Sequence, residues 1–255
     1  MRSQRLIVVS ALLLVAAGCA AQGQDTVQGQ AHGAHGAPSA DSRPVLYDTL
    51  GSYSYRITTV SPEAQRWFDQ GLRLLYAFNH LEAQRAFREA ARLDPKCAMC
   101  FWGIAMTEGG NYNHPTDAER EKKALAAVQQ AQVLAVTARP AERAMIGAVA
   151  RRHSGDPQAK RATLDRAYAD AMRDVARQFP DDLEAGTFFA DAMMNLRPWN
   201  LWAPDGTPHP GTEELVQTLE RVLARNPNHP GALHLYIHAV EASRRPERAE
   251  GAADR

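Results

Sequence analysis

The chain has 255 residues, 45% of them hydrophobic and 23% charged, with 29 acidic and 29 basic side chains. These proportions exclude collagen, a wholly disordered chain and a polytopic membrane protein, and zero net charge leaves no basic surplus for a dedicated nucleic-acid binder. Alanine is abundant, with 45 residues against 17 glycines and 15 prolines, which favours closely packed helices over sheets.

Arg2 and Arg5 precede an apolar run from Leu6 to Ala17. The run is well short of the roughly 20 residues that a permanent spanning helix needs, so it predicts the core of a signal peptide. It ends in Val15-Ala16-Ala17-Gly18-Cys19, which resembles the lipobox of bacterial lipoproteins. That resemblance implies a signal over residues 1–19, cleavage before Cys19, lipidation of Cys19 and attachment to the membrane through the acyl chains alone. A plain secretory signal is the alternative, and a retained anchor helix the third reading. Ala20, standing where an inner-membrane lipoprotein has aspartate, points to the periplasmic face of the outer membrane. Residues 20–45, rich in Gly, Ala, Gln and Ser, predict a flexible tether in which His32 and His35 are isolated imidazoles.

Residues 46–255 read as helical hairpins. Trp67, Gly71, Ala83, Phe87, Ala90 and Pro95 fall at the spacings of the tetratricopeptide pattern, predicting helices over Pro62–Phe78 and Leu81–Leu93 with Asp94-Pro95 as a stop. A second unit starts at Cys97, and its second helix carries Ala124, Val128, Ala131 and Leu134. Between its helices lies an insertion around Gly109 to Pro115, of the kind that often carries function on repeat proteins. A third hairpin spans Pro140 to Phe179, and a fourth runs from Leu183 to Asn195 and, after a long loop, from Thr212 to Arg225. A fifth begins near Pro230, its second helix near Pro246. The expected fold is all-α, a tetratricopeptide-like superhelical solenoid whose first helices line a concave face. A full fifth repeat would run past Arg255, so the reading expects a chain truncated at its C-terminus.

The segments Gly71 to His80, Asp94 to Ala105, Met194 to Trp199 and His234 to Ala242 resemble a bacterial family of secreted tetratricopeptide-repeat proteins of poorly defined biochemistry. The likeness covers about four fifths of the chain. It implies the fold, an envelope location and partner binding, and no single reaction.

Three groups of residues are candidates for function. His234, His238 and Glu241 share one face of a predicted helix at i, i+4 and i+7, a set suited to a divalent transition metal; the HLYIH sequence lacks the internal glutamate of a zinc protease. The bland alternative has the two histidines bonding loop carbonyls in a polar groove. Cys97 and Cys100 are the two cysteines besides Cys19; packed thiols, a structural disulfide, and redox or metal work all stay open. Phe101 excludes the CxxCH haem motif. Trp102, Met106, Asp191 and Asn195 on the first helices, with Asn111, Asn113, Arg197, Trp199 and Trp202 in the two long loops, suit a polar ligand or peptide held against an aromatic wall. The functional expectation is an envelope lipoprotein binding a protein, peptide or small ligand in its groove. A metalloprotein and a purely structural scaffold are the alternatives.

Overall fold

A computed structural model describes residues 44–255. The signal, Cys19, and the tether with His32 and His35 lie outside the described residues.

The described chain is all-α: α1 Pro62–Tyr76, α2 His80–Leu93, α3 Ala98–Glu108, α4 Ala118–Leu134, α5 Pro140–Ala150, α6 Arg161–Gln178, α7 Leu183–Met194, α8 Thr212–Arg225, α9 Pro230–Val240 and a short α10 Glu250–Ala253. Among the described residues the only β pairing is one isolated bridge, Trp202 to Pro208, and no helix is long and apolar enough to cross a membrane. The expected boundaries hold because local chemistry sets them. Proline opens α1, α5 and α9, while the side chains of Ser61, Asp117, Asp182 and His229 accept backbone N–H groups of the first turns.

The odd helices differ from the even ones in composition, and their burial follows. In α3, AMCFWGIAMTE, and α7, LEAGTFFADAMM, apolar residues run all round, and nearly every residue is buried. The even helices bury a single stripe, as α2 does through Ala83, Ala86, Phe87, Ala90 and Ala91. Each long helix packs on its neighbour in sequence; in addition α1 touches α3 and α9, α3 touches α5, and α7 touches α9. The first and last long helices are therefore neighbours, and the odd helices enclose one another instead of bordering an open channel. Trp102 and Met106, expected to face a groove, are 1% and 5% exposed.

Two close approaches depend on missing side chains. Phe87 of α2 wedges between α1 and α3, and a Cβ on Gly71 or Gly103 would stand 2.7 or 2.5 Å from its ring. A Cβ on Gly231 of α9 would stand 2.5 Å from the Tyr76 ring, so glycine is what lets α9 close on α1.

Residues 45–59 form an extended strap pinned by acidic side chains of several helices. Ser54 Oγ donates to Asp69 Oδ2 at 2.7 Å, Tyr55 OH to Asp182 Oδ2 at 2.8 Å, and Thr58 Oγ1 to Glu142 Oε2 at 2.6 Å. Tyr53 OH donates to Glu184 and lies 2.9 Å from His229 Nε2. Since His229 Nδ1 accepts the Ala232 N–H, its proton sits on Nε2 and points at Tyr53. His229, which reads as a turn residue in sequence, is fully buried. Apart from those to Asp69 in the middle of α1, these contacts lie at the N-terminal ends of α5, α7 and α9.

Cys97 and Cys100 are joined in a disulfide at the start of α3, with Cα atoms 5.4 Å apart. Both are 0% exposed, which shields the bridge from exchange with thiols in solution.

Candidate functional site

The turns after α1, α3, α5 and α7 and the end of α9 gather at the end opposite the strap. The turn after α1 presents Phe78 and the loop after α3 presents Tyr112. The turn after α7 presents Trp199, and α9 presents His234 and His238, one helical turn apart. Ring centroids lie 4.5 Å apart for Phe78 and His234, 5.8 Å for Tyr112 and His238, and 5.6 Å for Trp199 and His238. Phe78 and Trp199 carry φ of 56° and 58°, the two non-glycine positive values among the described residues. Bulky side chains seldom adopt this conformation, which typically costs about 1–3 kcal/mol and concentrates at functional sites. Here both strained residues face His238.

His234 Nε2 and His238 Nε2 are 3.1 Å apart, His234 Nδ1 faces the Tyr76 carbonyl, and His238 Nδ1 is 3.0 Å from Glu241 Oε1. The expected three-ligand metal set is therefore corrected. Glu241 continues the helical backbone, with φ −57° and ψ −31° and its N–H on the Ile237 carbonyl, but its carboxylate meets the far nitrogen of His238, away from the point where the two Nε2 atoms face each other. Among the described residues no group of three or more His, Cys, Asp or Glu side chains is placed to hold a metal ion. Burial, followed by the His238 charge, holds the His234 imidazole below the usual histidine range, with Glu241 opposing.

Beneath this rim lies a partly open cavity of about 30 Å³, lined among others by Tyr76, Phe78, His80, Met106, Phe188 and Asp191, room for one or two water molecules. A more open cleft of about 240 Å³ shares Gly110, Asn111 and Arg152 with it and extends to Tyr112, Asn113, Asn195 and Trp199. Three polar atoms here are buried without a hydrogen-bond partner in the protein: both ring nitrogens of His80 and Asn195 Oδ1. Such atoms are rare in folded proteins and mark places where a ligand or water completes the bonding. Burial, with Arg120 and His114 adding to it, pushes the His80 imidazole down to about 4, so it is neutral at physiological pH.

Asp191 is the perturbed carboxyl of the cavity. Burial pushes its carboxyl up to about 6, against the opposing pull of Arg152 and of a 3.1 Å hydrogen bond from Asn195 Nδ2. Arg152 does not neutralise it fully, because its Nε donates to Asp165 at 3.1 Å and its guanidinium lies 5.0 Å from the Tyr168 ring centroid. A raised carboxyl pKa means that the folded state holds the proton more tightly than the unfolded chain, so stability declines as pH rises from about 4 to about 6. Asp191→Asn is accordingly expected to stabilise the protein by about 1–3 kcal/mol at pH 7.5. That gain should vanish at pH 4, as denaturant titration at the two pH values would report.

The structure thus brings Met106, Asn111 and Asp191 to the cavity, and Asn113, Asn195 and Trp199 to the cleft beside it. Trp102 packs edge-on against Phe188 at 4.9 Å. Asn111 also builds its own loop, its Oδ1 accepting the N–H groups of Asn113 and His114 at 2.9 and 3.0 Å. Trp202 is corrected to a packing role: its Nε1 donates to the Ala239 carbonyl at 2.8 Å, tying the long loop to α9. Arg197 is half-buried in the turn after α7. Sequence reasoning missed Phe78, His80, Tyr112 and Arg152. Of these, only Phe78 and His80 stand in a segment that carries the family likeness, directly after the first helix.

No protein-family model matches the chain, and no curated protein matches it.

Proposed function

We propose that residues 46–255 are an array of tetratricopeptide-like hairpins that binds a small polar ligand bearing an amine. In this reading the chain is carried to the cell envelope by residues 1–19 and held at the outer membrane through lipidated Cys19. The observation that carries the ligand reading is Asp191, a carboxylate raised by burial and left without a full counter-charge beside the orphaned Asn195 Oδ1. An ammonium group offers the cation and the donors that both lack, and the Tyr76, Phe78 and Phe188 rings suit its flanks. The cleft toward Tyr112 and Trp199 takes the remainder of the molecule.

A protein or peptide partner is favoured less, because the inner helices enclose one another; it would dock outside the rim, where Trp199 is 62% exposed. The test is a thermal-shift panel pairing primary amines and amino acids with their hydroxyl analogues. At least one amine is expected to raise the melting temperature while its hydroxyl analogue does not, with the shift lost in Asp191→Asn. No shift from any amine, or equal shifts in the variant, contradicts the reading.

A further inference from the structure

The two histidines of α9 make a second site, argued from hydrogen-bond inventory alone and independent of the amine reading. The Tyr76 carbonyl oxygen can only accept, so His234 carries its proton on Nδ1, leaving Nε2 as a bare lone pair. The Glu241 carboxylate likewise accepts, so His238 carries a proton on Nδ1, and in the neutral ring its Nε2 is bare as well. The two lone pairs converge at 3.1 Å. Two neutral imidazoles in this arrangement repel unless a cation sits between them, either a proton taken up by His238 or a metal ion. An ion about 2.05 Å from each nitrogen would see them at an angle of about 100°, between the values for octahedral and tetrahedral coordination.

We propose that His234 and His238 form a two-nitrogen binding site for a borderline divalent transition-metal ion, with the Tyr76 carbonyl and the Glu241 carboxylate acting as orienting partners and not as ligands. Ligating histidines commonly donate their second ring N–H to a carbonyl or carboxylate, and both do so here. The Phe78 ring lies against both imidazoles, its centroid 4.5 and 6.0 Å from theirs, while Tyr112 and Trp199 flank His238, so the rings are held for binding. With two protein ligands the remaining positions go to water or to a bound molecule. The site is therefore exchangeable, and imidazole chemistry ranks copper(II) above nickel(II) and zinc(II), with magnesium and calcium excluded by their preference for oxygen.

The experiment titrates copper(II), zinc(II) and magnesium into the full chain carrying His32→Ala and His35→Ala, which removes the imidazoles of the tether. Calorimetry reads binding, and tryptophan fluorescence reports copper close to Trp199. One equivalent of copper is expected to bind and quench, zinc to bind more weakly and magnesium not at all. His234→Gln and His238→Gln should each weaken copper at least tenfold, and Glu241→Gln roughly tenfold or more, with circular dichroism confirming that each variant folds. Trp199→Phe should remove most of the quench. No stoichiometric copper, or affinity unchanged in both histidine variants, would overturn the proposal.

Discussion

Replacing Glu184 with alanine is expected to destabilise the protein by about 3–5 kcal/mol. Glu184, on α7, is 1% exposed. It accepts the hydroxyls of Tyr53 and Tyr76, and His229 Nε2 lies 3.5 Å away. One carboxylate thereby joins the strap, α1, α7 and α9. Removing it leaves the two hydroxyls short of their acceptor, each loss carrying the desolvation of a polar group. Glutamine keeps one acceptor oxygen, so Glu184→Gln should lose less than half as much. Denaturant titration measures both, and in the alanine variant hydrogen exchange at residues 53–59 should rise ahead of global unfolding. A loss below about 1 kcal/mol would mean that the strap is held without this carboxylate.

The second large effect is steric. Phe87→Ala removes a fully buried ring from between Gly71 and Gly103 and is expected to lower stability by about 3–5 kcal/mol, since neither flanking helix can move inward to fill the space. In that background Gly103→Ala should recover stability, because its methyl enters the volume the ring vacated; in the parent the same change should destabilise by about 1–3 kcal/mol through overpacking. Opposite signs in the two backgrounds, read from denaturant midpoints, are the diagnostic result. Equal losses in both would show that α1, α2 and α3 are not held apart by this ring.

Helix content and boundaries were legible because capping and stop residues act over a few positions: Ser61-Pro62, Asp94-Pro95 and His229-Pro230 set ends that the structure reproduces within two residues. Closure of α9 on α1 was not legible. It rests on Tyr76 meeting Gly231, partners more than 150 residues apart that no local pattern connects. The histidine face is legible in the sequence, but helical spacing does not tell which ring nitrogen of His238 the Glu241 carboxylate meets, and its side chain goes to Nδ1. Asp191 was recognised as a polar residue on a first helix, whereas its perturbation comes from burial and from Arg152 being occupied by Asp165, both set by packing. His80 escaped because its interest lies in what its ring nitrogens lack.

The central claim is that Asp191 receives a cationic ligand group, and its proton gives the most direct measure. Calorimetric titration of an amine from the panel at pH 6, in two buffers of different ionisation enthalpy, counts protons exchanged on binding. With the Asp191 carboxyl at about 6, binding should release about half a proton per amine, and Asp191→Asn should bind weakly with no release. Saturable binding with no proton release, or with the same release in the variant, would contradict the account.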